Sequence, residues 1–378
     1  MYGTTLPAVP VKGPSPRRSE APVTPDADWL DPAPDWLDPA PFLRGVAWRE
    51  GARAVRADPA DLARLPWDTR ERAALPIGVR LEFTAPGGAR AVDVRYRARV
   101  PGPGETMREL AHCFALWRGD RCVGEAFGEP AAEATVRIGL PPGDGPFAVH
   151  PPESQSPVVL GLRGVGGPVV PAPRRPRWLV HGDSITEGWW STRPAHSWPA
   201  AAGRTLGLDT VNLGYAGAAR GELATAEQLA SLPAELLTLA FGTNCWSGVP
   251  YGAALMYATT RAFVALVRRG HPETPLLLVS PLLRPEAEAA QNALGATLAE
   301  LRGAMESAAL DLAAAGDGRL ALLPGRDLLT AADLADGLHP NDTGHARLAS
   351  AVTHALRAAG FVTAAATRER TPSRAVGP

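Results

Sequence analysis

The sequence predicts a two-part α/β protein. A smaller antiparallel β-sandwich of jelly-roll type precedes a three-layer α/β/α domain with a five-stranded parallel sheet. Three observations point there. Between residues 42 and 170, apolar and polar residues alternate with a period of two. Beyond residue 177, unbroken apolar runs alternate with stretches of helical spacing. Small or polar clusters then follow most of those runs, at the sheet edge where α/β proteins place their ligands.

Taken in order, residues 1–41 read as a flexible tail rich in Pro, Ala and Asp. It carries a duplicated DWLDPAP at 28–34 and 35–41, with Trp29 and Trp36 as points for docking on the body. Two copies of seven residues are too few for a solenoid. The sandwich is expected over 42–170. Val79, Leu81 and Phe83 alternate there with Arg80 and Glu82, and Val92, Val94, Tyr96, Ala98 and Val100 alternate with Asp93, Arg95, Arg97 and Arg99. Such alternation predicts strands with one wet face, and the turn clusters APGGA, VPGPGE and PPGDGP separate them. PAPRRPR (171–177) reads as a linker. Five strands are predicted over 178–360 and its immediate approach: RWLVHG (177–182), LDTVNLG (208–214), ELLTLAFG (235–242), PLLLVSP (275–281) and RLALLPG (319–325). Helices are expected near 196–206, 222–231, 253–269, 290–315 and 343–359, and a disordered tail over 361–378.

Composition narrows the class. Thirty-eight Lys+Arg against 39 Asp+Glu leave a net charge of −1, which gives no reason to expect nucleic acid or an anionic membrane as partner. No run approaches the roughly 18 apolar residues of a membrane span, and the N-terminus lacks the apolar core of a signal peptide, so a cytoplasmic location is expected. Cys113, Cys122 and Cys245 form no CxxC pair; Cys113 and Cys122 could pair with each other, but the three are read as buried free thiols. His181, His196 and His345 lack metal-ligand spacing, so neither metal nor cofactor is expected. Composition and spacing leave the oligomeric state open.

The chemistry-bearing clusters are Gly182-Asp183-Ser184, Asn212-Leu213-Gly214-Tyr215-Ala216-Gly217, Gly242-Thr243-Asn244 and Asp336-Gly337-Leu338-His339-Pro340-Asn341. Together they supply a hydroxyl, an imidazole, a carboxylate and several hydrogen-bond donors. A serine hydroxyl needs a neighbouring base to become a nucleophile, and the oxyanion it generates needs donors already in place. Asp183 reads as a hydrogen-bonding turn residue. Trp189, Trp190 and Trp246 flank these clusters as candidates to line a substrate cleft; Trp198 is another flanking ring, and core packing accounts for such residues equally well.

The four clusters, in this order, resemble the sequence blocks of the SGNH hydrolases, also called the GDSL esterase and lipase family: GDSIT, NLGYAG, FGTN and DGLHPN. The resemblance covers roughly residues 175–360. It implies Ser184 as nucleophile, His339 as base and Asp336 as the carboxylate that fixes the imidazole. It implies an oxyanion hole from the Ser184 and Gly217 backbone N–H groups and the Asn244 side chain, with Gly214 as runner-up to Gly217. Family members commonly carry an acid after the asparagine; here Cys245 stands there. A β-sandwich ahead of such a domain is similar to the layout of two-domain carbohydrate acetyl esterases. The implied activity is hydrolysis of a small-molecule ester, with an acylated sugar as the favoured substrate. Acyl transfer to an alcohol through the same site and a binding protein with a vestigial hydrolase domain are the alternatives, and the intact Ser184, Asp336 and His339 speak against the last.

Overall fold

A computed structural model of the chain describes residues 36–98 and 113–362. Trp29 and the first DWLDPAP copy, Arg99 and Val100 with the turn after them, and the tail from 363 lie outside the described residues. The described residues form one compact unit.

The N-terminal part contains β1 (Leu43–Arg44), the hairpin β2 (Trp48–Glu50) and β3 (Arg53–Val55), the short helix α1 (Trp67–Ala73), and strands β4 (Arg80–Thr84) and β5 (Ala91–Arg97). It continues through β6 (Phe114–Arg118), β7 (Arg121–Ala126), β8 (Ala134–Gly139), β9 (Phe147–His150), β10 (Val158–Val165) and β11 (Val170–Pro171). One antiparallel sheet runs β1-β4-β9-β6-β7 with β11 also on β4, and a second runs β10-β5-β8. Leu81, Phe83, Leu116, Phe147 and Val149 of the first sheet share a core with Val92, Val94, Tyr96, Val136, Ile138 and Leu162 of the second, so the sheets pack face to face. Trp36 lies under the Arg163 guanidinium, 4.6 Å from its ring centre, and Leu37 pairs with Leu162.

The alternation in β4 has a different outcome from the expected wet face. Arg80 and Glu82 are buried, 8% and 3% exposed, because that side of the strand is covered by the parallel-sheet region. Arg80 donates to Glu82 at 2.7 Å, to Asp209 at 3.0 Å and to the Thr210 carbonyl at 3.2 Å. Buried charge survives here because it is paired.

The parallel sheet is formed by β12 (Arg177–Gly182), β13 (Asp209–Gly214), β14 (Leu236–Ala240), β15 (Leu276–Val279) and β16 (Leu320–Leu323), in the order β13-β12-β14-β15-β16. The helices are α2 (Ser184–Glu187), α3 (Trp198–Leu206), α4 (Leu223–Ser231), α5 (Ala253–Gly270), α6 (Leu298–Ala314) and α7 (Asp342–Ala358). Because successive residues of a strand face opposite sides, Leu179, Val211, Leu237 and Leu276 pack with Leu229, Phe263, Val267 and Met305 of α4–α6, while Trp178, Val180, Leu277 and Val279 pack with Trp198 of α3 and Leu348 and Val352 of α7. Both faces are thus covered, which is why these strands read as continuous apolar runs. Helix α6 begins later than the helical spacing suggests. Thr297 accepts from the Glu300 N–H at 3.1 Å and Glu300 accepts from the Thr297 N–H at 2.8 Å, a capping box that sets the start.

Candidate active site

Strand β12 is central between β13 and β14, so the loops leaving their carboxyl ends are neighbours along one edge. Ser184 opens α2 from the end of β12. Asp183 caps that turn, accepting from the Ile185 N–H at 3.0 Å, which bears out a hydrogen-bonding role for it. Burial pushes the Asp183 carboxyl up to about 7, against the backbone N–H groups that favour its ionised form. The helix that Ser184 opens is a single turn, ended by Gly188 at φ +104°.

His339 reaches Ser184 from the loop before α7. Its Nε2 lies 2.9 Å from Ser184 Oγ, and its Nδ1 lies 2.7 Å from Asp336 Oδ2. A carboxylate can only accept, so Nδ1 carries the proton and Nε2 is free to take one from the hydroxyl. The three-residue reach from Asp336 to His339 works because the loop folds back: Leu334 and Pro340 form a bridge, and the Ala335 N–H donates to the His339 carbonyl at 2.8 Å. Asn341 caps α7 through the Gly344 N–H at 3.0 Å.

Asp336 is held from several sides. Oδ1 accepts from the backbone N–H groups of Leu338 and His339, at 3.0 and 2.8 Å. Oδ2 accepts from His339 and, at 3.0 Å, from the indole N–H of Trp190. Burial acts to raise the Asp336 pKa, but these donors outweigh it and hold the carboxyl below its ordinary value. Trp190 makes its contact from a left-handed backbone, φ +65°, rare for a bulky side chain. Trp189 stacks on the His339 ring with centroids 5.4 Å apart, and its carbonyl lies 2.9 Å from His345 Nε2. The Thr192 N–H and hydroxyl donate to Asp342 in the first turn of α7, at 2.9 and 2.6 Å. The serine loop and the histidine loop are therefore fastened together on both sides of the Ser184–His339 contact.

Among the implied oxyanion donors, Asn244 follows β14 and its amide nitrogen donates to the Ala218 carbonyl, which fixes the amide's direction and leaves its second proton unspent. Gly217 follows β13 at φ +71°, with open space where a Cβ would stand. Gly214 has a different task. Its N–H is taken by the Asn212 side chain at 2.9 Å, and a Cβ there would collide with the Glu187 backbone. Trp246 is half-buried, donating to the Ala290 carbonyl at 2.9 Å beneath the Arg284 guanidinium, and Trp198 is core. Cys245 is buried, with its thiol pushed far up by desolvation.

One part of the site lay outside the sequence reading. Glu187, its carboxylate fully buried, pairs with Arg72 and lies 3.4 Å from Arg56. It also accepts from the Trp189 indole at 3.2 Å and from the Ala216 N–H, next to Gly217, at 2.9 Å. Arg56 is buried and donates to the carbonyls of Gly214, Arg72 and Leu75. Burial holds its pKa down to about 10. Residues from the N-terminal region thus brace the β13 loop.

A serine, an imidazole and a carboxylate in hydrogen-bonded series at the carboxyl edge of a parallel sheet define a serine hydrolase. Residues 180–347 match the GDSL-like lipase/acylhydrolase family model. That match and the geometry of the site support a serine esterase. No curated protein matches the sequence. Among solved structures, the salicylyl-acyltransferase SsfX3 of a tetracycline biosynthetic pathway is similar at 24% identity and a TM-score of 0.73, over 84% of this chain and 94% of that one. A GDSL-like lipase, so named, from Bacteroides ovatus is similar at 20% identity and a TM-score of 0.71, over 87% of this chain and 98% of that one. A family two carbohydrate esterase from Clostridium thermocellum, solved with cellohexaose, is similar at 15% identity and a TM-score of 0.55, over 75% and 93%. At these identities the likeness is one of fold.

Proposed function

We propose that the protein removes a short acyl group, acetyl in the first instance, from a sugar or sugar-like small molecule by way of an acyl-enzyme. Ser184 Oγ attacks the ester carbonyl while His339 Nε2 takes its proton, and Asp336 steadies the resulting imidazolium. The backbone N–H groups of Ser184 and Gly217 and the free amide proton of Asn244 receive the oxyanion. His339 returns its proton to the departing alcohol, and water repeats the sequence to release the acid. The observation that carries this reading is the continuous series from Ser184 through His339 to Asp336, at 2.9 and 2.7 Å. The sugar-like alcohol is supported by the fold likeness to the carbohydrate esterase from Clostridium thermocellum, solved with cellohexaose. The Trp190 ring, 40% exposed and tethered at the catalytic carboxylate, offers a flat apolar face beside the reacting atoms.

Transfer of the acyl group to an alcohol uses the same groups and differs in the acceptor. The match to an acyltransferase over 94% of that chain keeps it as the second reading. The deciding experiment is hydrolysis of p-nitrophenyl esters from acetate to long acyl chains, by the protein and by Ser184→Ala, with and without added sugar alcohols. Turnover limited to short esters, lost in Ser184→Ala and indifferent to the alcohol, is the expected result. Turnover equal in the two proteins refutes Ser184 as nucleophile, and product appearing on the added alcohol favours transfer.

A further inference from the structure

Away from the catalytic edge, a cavity of about 320 Å³ separates the β4-β9-β6 face of the sandwich from α3 and β13. None of Ser184, His339, Asp336, Gly217 or Asn244 lines it. Its volume lies in the range of small-molecule sites. Its walls carry four guanidinium groups, Arg80, Arg118, Arg175 and Arg204, against the single carboxylate of Glu82.

Those charges are unevenly matched. Glu82 and Asp209 take up Arg80, at 2.7 and 3.0 Å, and Glu82 also lies 4.0 Å from Arg175. Arg204 and Arg118 form no ion pair among the described residues. Arg204 lies over Trp117, 4.0 Å from the ring centre, and donates through one Nη to the Ala195 carbonyl at 2.6 Å. Arg118 lies over Phe147 at 5.7 Å and donates one Nη to the Pro142 carbonyl at 2.8 Å. Two further polar atoms in this wall are buried without a partner: Nε of Arg204 and Nε2 of His150, a residue 3% exposed. Desolvation holds Arg204 down to about 10, so it remains a cation at neutral pH. Guanidinium groups without an ion pair around a void, one of them partly buried, are matched best by an anion with several acceptor oxygens. Placement over aromatic rings holds both groups at the cavity and leaves donors for such a group.

We propose that this cavity is a second binding site, for a small molecule bearing a phosphate, held by Arg118 and Arg204 with Arg175 at the rim. A dianionic phosphate answers two guanidinium groups that form no ion pair, and Pro146, Pro199 and Leu208 give its organic part an apolar wall. The site is independent of the catalytic reading, since it shares no residue with the machinery proposed there.

Calorimetric titration of the full chain with glucose 6-phosphate, inorganic phosphate and unphosphorylated glucose tests it. The expected result is binding of the sugar phosphate with a Kd of roughly 1 mM or tighter, weaker binding of phosphate and none of glucose. Arg118→Gln and Arg204→Gln are each expected to weaken the sugar phosphate about tenfold, with Arg204→Lys restoring part of the loss. Ser184→Ala should bind as the wild type does, and Arg118→Gln should hydrolyse p-nitrophenyl acetate unchanged. Arg118 is exposed, so its variant folds even if Arg204→Gln does not. Absence of binding by both phosphates, equal binding of glucose, or affinity unchanged in Arg118→Gln overturns the proposal.

Discussion

Trp190 shows what a single residue contributes to this site. Its left-handed backbone costs on the order of 1 kcal/mol or more, and its indole N–H points the Asp336 carboxylate at His339. Trp190→Phe keeps the ring and removes the donor. The expected outcome in steady-state kinetics is a kcat lower by about tenfold with KM little changed; an unchanged kcat refutes the positioning role. Asp336 itself is tested by Asp336→Asn, expected to cut kcat by roughly 10³–10⁴. Its folded pKa is depressed, so the stability it contributes is present above the unfolded value near pH ~4 and is lost as pH falls through the lower folded value. Denaturation midpoints of wild type and Asp336→Asn should differ at pH 6 and converge in stronger acid. At this scale the sequence was informative. Ser184, His339 and Asp336 stand in short motifs whose chemistry is recognisable without coordinates, whereas Trp190 was legible as a neighbour of the site but not as a donor to its carboxylate.

At the scale of elements, loops are held where they are by partners remote in sequence. Glu187 is 115 residues from Arg72 and 131 from Arg56, so no local pattern announces the cluster. Glu187→Gln keeps the shape and leaves the Arg56 cation buried without its counter-charge, a loss of about 3–5 kcal/mol. Thermal unfolding should fall by roughly 5–10 °C, and because the Ala216 N–H rests on the same carboxylate, kcat should fall with it. An unchanged melting temperature would show the cluster to be dispensable. Other boundaries were within reach of local reasoning. The Thr297-x-x-Glu300 spacing is a readable helix start, and it places α6 eight residues inside the stretch that periodicity alone suggested.

Over the whole molecule, the parallel sheet was legible because burial on both faces leaves unbroken apolar runs, and the sandwich because alternation marks one inward face. What alternation does not reveal is what covers the other face. In β4 that cover is the β13 edge, joined through Arg80, Asp209 and Thr210, with the Gly45 N–H donating to Asp209 at 2.9 Å and Arg177 to the Val46 carbonyl at 2.8 Å. Such desolvated polar contacts tie the two sheet systems into one cooperative unit. Calorimetry of the full chain is expected to give a single transition, and a fragment beginning at residue 171 to give none. Two separate transitions would show that the sandwich and the catalytic sheet fold independently.

The differing surroundings of the three cysteines bear on how the enzyme can be handled. Cys245, next to Asn244, is sealed from solvent and kept protonated by burial, and Cys113 is likewise enclosed with its thiol raised. Cys122, on β7 of the sandwich, is exposed. Thiolate is the reactive form, so maleimide or a mild oxidant will meet Cys122 first. A fluorophore or surface tether can therefore be attached through that sulfur on the native protein, leaving the thiol beside Asn244 unmodified.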